Sequence, residues 1–156
     1  MEEDEYKVTY HEIAQNRCVF EKVLTSNQGK CRYSQHFWLA DREGYACKSR
    51  EISLNCRELL ERLRKNSKFL LKLHSIGDQL PHNMEIRVEV GGLRGLRAVF
   101  GSGQKDEVIA DIRALIEQTE QQYDNMDVLP YSEIVQSIAS FQGRKRGKHR
   151  QNLNND

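Results

Sequence analysis

The chain has no apolar run approaching the length of a membrane span, so no membrane-crossing helix is expected. Its opening Met1-Glu2-Glu3-Asp4-Glu5 carries no positive charge and no apolar stretch follows, so it does not read as a secretory leader. Net charge is also nearly missing, at +1 in 156 residues, and the whole molecule exerts no strong field on nucleic acid or lipid. These absences point to a soluble protein of the reducing cytoplasm. In that compartment cysteines stand as free thiols or metal ligands rather than as disulfides. Familiar chemical motifs are absent too: no C-x2-C knuckle, no H-x-E or H-E-x-x-H, no G-x-G-x-x-G and no phosphate-binding G-x-x-x-x-G-K-[ST].

What is there suits one ordinary domain. Apolar residues make up 38% and charged residues 30%, and the apolar ones are clustered and periodic enough for a moderate core. Charge is unevenly laid out. Residues 42–72 hold nine Lys or Arg against four Glu, whereas 106–133 hold eight acids and one base. Such segments either face each other across the fold or form two surfaces of opposite sign.

Periodicity predicts an α+β domain over 1–142, a small antiparallel sheet or hairpins packed with about three helices. A disordered basic tail follows at 143–156, too polar to bury surface against chain entropy. Residues 6–10 read as a short strand. Arg17–Leu24 and Lys30–Leu39, around Thr-Ser-Asn-Gln-Gly, read as a hairpin, with a second turn at Asp41–Gly44 and a polar irregular stretch from Tyr45 to Ser53. A helix is predicted from an Asn55 cap, with Leu59, Leu60, Leu63, Leu70 and Leu71 on one face and an end near Gly77 and Pro81. Met84–Val90 alternates strictly and predicts a strand, followed by a Gly91-Gly92 turn and a partner strand at Leu96–Phe100. Two further helices carry the stripes Val108 to Tyr123 and Tyr131 to Phe141, the latter opened by Pro130.

The pattern closest to chemistry is Cys18, Cys31, Cys47 and Cys56, spaced C-x12-C-x15-C-x8-C within the first 56 residues. Four thiolates suit a tetrahedral zinc or an iron–sulfur cluster, and convergent loops can supply them at any spacing. An expected position in the first turn of a helix would favour Cys56 as thiolate. Lys30, Arg32, Lys48 and Arg57 would offset cluster charge. Against this, Cys56 shares a face with Leu59, Leu60 and Leu63, where a cysteine serves as a small hydrophobe. A regular first hairpin would also hold Cys18 roughly 16 Å from Cys31. Tyr33, Phe37, Trp38 and Tyr45 fit either a shield around a cluster or ordinary core.

Other candidates are weaker. His36 could replace one cysteine as ligand, and Cys47, His36 and Asp41 can be written as a nucleophile, base and orienting acid without any support from geometry. The basic tail residues Arg144, Lys145, Arg146, Lys148 and Arg150 could neutralise phosphates or dock an acidic partner. No aromatic after Phe141 is available to stack on a base. Two readings follow. One is a small protein holding an iron–sulfur cluster or zinc, for electron transfer, cluster handling or as a structural clamp. The other is a metal-free adaptor or regulatory protein that binds protein partners and touches nucleic acid through its tail. Nothing in the chain points to a defined catalytic reaction.

Overall fold

The computed structural model describes residues 16–68, 82–101 and 108–141. In chain order these form α1 (Glu21–Thr25), β1 (Ser34–Leu39), β2 (Arg42–Cys47), α2 (Arg50–Ser67), α3 (His82–Ile86), a π turn (Arg87–Gly91), α4 (Gly92–Val99), α5 (Ile112–Gln122), a 3-10 turn (Met126–Val128) and α6 (Tyr131–Ser140). The class is α+β: one antiparallel hairpin beside a helical layer. The strand expected at 6–10, the end of the first long helix and the basic tail lie outside the described residues.

α2 starts at Arg50 because Ser49, in extended conformation, caps it by accepting from the Ile52 N–H at 3.2 Å. The start lies upstream of the predicted Asn55 cap. Asn55 instead accepts from the Arg113 guanidinium at 3.0 Å. The buried stripe of α2 is Ser53, Cys56, Leu59, Leu60, Leu63 and Ser67, the spacing of three and four that one helix face requires. α5 and α6 follow their predicted stripes. Asp111 caps α5, so Val108 and Ile109 precede the helix, and Ile109 makes a parallel bridge with Gly29.

The expected strand over Met84–Val90 is helix. Residues 82–99 run as one rod through the π turn, and the proposed partner strand Leu96–Phe100 lies largely within α4. The alternation is real but its faces are not those of a strand: Glu85 and Glu89 are buried along with Val88 and Val90. Tertiary packing overrides β-propensity here. Gly91 and Gly95, four apart, let the rod press on the α6 backbone. A Cβ on Gly95 would lie 2.6 Å from the Ile134 carbonyl oxygen, and one on Gly91 2.6 Å from Ile138 Cα. These glycines are a contact face rather than a turn.

The hairpin is also displaced. Residues 21–25 are helical, and the sheet pairs β1 with β2 across Ala40–Asp41, in the register Gln35↔Ala46, Phe37↔Gly44, Leu39↔Arg42. The stretch expected to be irregular from Tyr45 is therefore strand and then helix. Phe37 lies over Gly44, covering the space its missing side chain leaves. The segments of opposite charge do meet, Arg62 of α2 reaching Asp127 at 2.7 Å; Arg32, outside the basic segment, also reaches Asp111 at 3.1 Å and pairs with Glu117.

Candidate functional site

Cys18 precedes α1, Cys31 follows the Gly29 bridge, Cys47 ends β2 and Cys56 sits on α2. All four side chains border one small cavity of about 20 Å³, otherwise walled mainly by apolar groups such as Phe20, Ile52 and Ile112. The four cysteines form no disulfide. Burial drives the Cys18 thiol far above its ordinary value. Burial likewise outweighs the nearby Arg113 guanidinium and pushes Cys56 up to about 12, and it raises Cys31. Cys47 donates its S–H to the Ser49 carbonyl at 3.1 Å.

This overturns the four-cysteine metal reading, whether iron–sulfur or zinc. Among the described residues no three His, Cys, Asp or Glu side chains are arranged to hold an ion. The environment works against thiolate as well. Because α2 begins at Arg50, Cys56 lies in its second turn, past the free N–H groups that would lower a thiol. Lys30, Arg32, Lys48 and Arg57 point to solvent, so the adjacent charges seen in the sequence do not reach the cavity. Cysteine in such a place packs as a small hydrophobe. The electron-transfer and cluster-handling readings fall with the metal site.

His36 neither replaces a cysteine as ligand nor serves as the base between Cys47 and Asp41. It stacks on Tyr45 with ring centroids 4.7 Å apart, and its Nε2 lies 3.3 Å from Glu43 Oε1. Asp41 is an exposed loop residue. Arg144, Lys145, Arg146, Lys148 and Arg150 lie outside the described residues.

The surface that sequence reading missed is the hairpin itself. His36, Trp38, Glu43 and Tyr45 share one face of β1–β2, and Trp38 is 62% exposed, with His36 set edge-on to it at 5.5 Å. The main chain explains which groups remain open. The Lys48 N–H donates to the Tyr33 carbonyl, which makes positions 33, 35, 37 and 39 those whose N–H and C=O point toward β2. His36 and Trp38 then aim their N–H and C=O away from β2. The close His36–Tyr45 stacking agrees, since side chains approach most closely at such non-bonded pairs. The far side of β2 is occupied: Cys18 N–H donates to the Tyr45 carbonyl and Cys47 N–H to the Asn16 carbonyl. Among the described residues no strand pairs with the outer edge of β1. An exposed indole therefore flanks a row of main-chain donors and acceptors that no described strand takes up. The signal for it in the sequence was the alternation His36, Trp38 directly before a tight turn.

Among the described residues no helix is long and apolar enough to cross a membrane. No protein-family model matches the chain, and no curated protein or solved structure was found to be similar to it.

Proposed function

We propose that this protein is an interaction module that takes an extended segment of a partner protein onto the outer edge of β1. The observation carrying this reading is the coincidence of Trp38, 62% exposed, with an edge at His36 and Trp38 that no strand among the described residues pairs with. Strand addition uses main-chain hydrogen bonds for affinity and alternate side chains for selectivity. Tryptophan is the residue most enriched among the few that dominate binding energy. His36, itself stacked on Tyr45, walls one side of the indole, and Glu43 supplies an acceptor for a basic or hydroxyl-bearing side chain of the partner segment. The same proposal sets the protein in a reducing cytoplasm, a setting that suits four free thiols.

Trp38 is the single tryptophan, so its emission reports on this surface directly. Peptides selected from a random library against the whole protein should shift that emission to shorter wavelength on binding. Trp38→Ala should weaken the selected peptides by about 30-fold, the effect of losing a hot-spot side chain worth about 2 kcal/mol. Leu54→Ala, on an exposed position of α2, should leave affinity unchanged. Peptides that bind equally well to the Trp38→Ala protein would overturn the proposal.

A further inference from the structure

The rod formed by α3, the π turn and α4 buries two carboxyls four residues apart. Glu85 is 6% exposed and Glu89 is 2% exposed. Arg64 of α2 binds Glu85 with both arms of its guanidinium: Nε lies 3.2 Å from Oε2, and Nη2 pairs with Oε1. Among the described residues Glu89 has no such clamp, and its Oε1 finds no hydrogen-bond partner there. Among the described residues the charged groups around it come from two neighbouring elements, Arg64 of α2 and Lys22 of α1, besides Glu85 on its own rod. α6 also packs on the π turn, but its one charged side chain, Glu133, is exposed. In α4, Arg94 is turned to Gln28, 2.6 Å away, and to the Phe141 ring.

Two buried carboxyls in contact cannot both ionise cheaply, because each would raise the cost of charging the other in a poorly solvated space. Arg64 selects which one carries the charge. Glu85 is the carboxyl forked by the guanidinium, which leaves Glu89 as the one suited to hold a proton. The position is mechanically sensitive as well. A π turn carries one extra residue in the helical ladder, and such insertions concentrate at places where a helix does something besides span a distance.

We propose that Glu85 and Glu89 form a single-proton site that ties the π turn to α1 and α2, and that loss of this proton loosens the rod. Burial, with Glu85 beside it, holds the Glu89 carboxyl up to about 9, against an ordinary 4.5. The sign follows from linkage. The folded protein keeps a proton that the unfolded chain releases near 4.5. The site's contribution to stability is therefore fully present below that value. It declines as pH rises and stops declining once the folded group itself titrates at about 9. Within this window the folding constant falls by up to about tenfold per pH unit on account of this one group.

The test is denaturant unfolding of the full chain between these pH values, wild type against Glu89→Gln, which copies the protonated acid in shape and polarity. The ratio of the two folding constants should change by about tenfold per pH unit and level off on the alkaline side. A ratio independent of pH would overturn the proposal. Should Glu89→Gln not fold, carbon-13 titration of the glutamate carboxyls in the wild-type protein decides the matter. One carboxyl titrating several pH units above the others supports the site, and all titrating together near the ordinary value refutes it.

Discussion

Replacing Gly95 by alanine puts two opposed effects into competition, and their sizes follow from the contact between α4 and α6. In an isolated helix the change would be favourable, since alanine is better than glycine by about 1 kcal/mol. In this protein the added Cβ would lie 2.6 Å from the Ile134 carbonyl oxygen, 2.9 Å from its Cα and 3.1 Å from its carbonyl carbon. All three atoms are backbone, so no side chain can rotate out of the way. Relief requires the two helices to part by roughly 1 Å, to reach an ordinary contact distance near 3.5 Å. Leu93, Leu96, Ile134 and Ile138, all essentially inaccessible to solvent, would lose contact together. Overpacking of this kind costs about 1–3 kcal/mol, which outweighs the propensity gain at all but its lower end. Gly92→Ala is the matched control on the same helix. Its Cβ would meet the Leu63 methyl at 2.7 Å, the far end of a flexible side chain that can move. Urea unfolding should place Gly95→Ala below wild type by up to about 2 kcal/mol and below Gly92→Ala by about 1 kcal/mol, with an unchanged slope. A Gly95→Ala protein more stable than wild type would show that α4 and α6 do not cross in backbone contact.

Other expectations are briefer. Ala40, the first residue of the two-residue hairpin loop, has φ +55, a conformation that penalises a Cβ. Ala40→Gly should stabilise the protein by about 1 kcal/mol in thermal or urea unfolding, and a loss of stability would contradict the loop geometry. Because the Cys18, Cys31 and Cys56 thiols are held up by burial, alkylation of native protein at neutral pH should be far slower than alkylation after unfolding. Mass spectrometry of the labelled peptides checks this, and rapid native labelling of Cys56 would refute it. Cys56→Ser should cost about 1–3 kcal/mol, the cost of placing a hydroxyl in an apolar wall, with no change in metal content by elemental analysis.

The sequence revealed helices best where one side of an element faces water. α5 and α6 carry apolar residues on one stripe and polar ones elsewhere, so Ile112, Leu115, Ile116, Ile134 and Ile138 marked their own buried face. α2 was equally plain in its interior, but its start was misread because Asn55, a good cap in isolation, is used by Arg113 instead. The rod at 82–99 was illegible for the opposite reason. It is buried nearly all round, from Val88 to Leu96, so neither period is enforced by solvent, and its alternating Val and Glu residues imitate a strand. Gly91 and Gly95 at helical spacing were the clue to a close helix crossing.

The four cysteines show the same limit at the candidate site. Nearness in sequence and positive neighbours suggested thiolates, whereas Lys30, Arg32, Lys48 and Arg57 all turn outward and burial raises the Cys18, Cys31 and Cys56 thiols. Trp38 was read as shield or core because large aromatics usually are. Its exposure depends on which strand β1 pairs with, and that was set by the Ala40–Asp41 loop rather than by the glycine-containing loop upstream.

The most direct test of the interaction surface is amide hydrogen exchange, residue by residue in β1, with and without a selected peptide. In the free protein the His36 and Trp38 amides, which face away from β2, should exchange faster than those of Gln35 and Phe37. Saturating peptide should protect His36 and Trp38 specifically. Peptide binding that leaves both amides unprotected, or protects only residues elsewhere, would contradict strand addition at this edge.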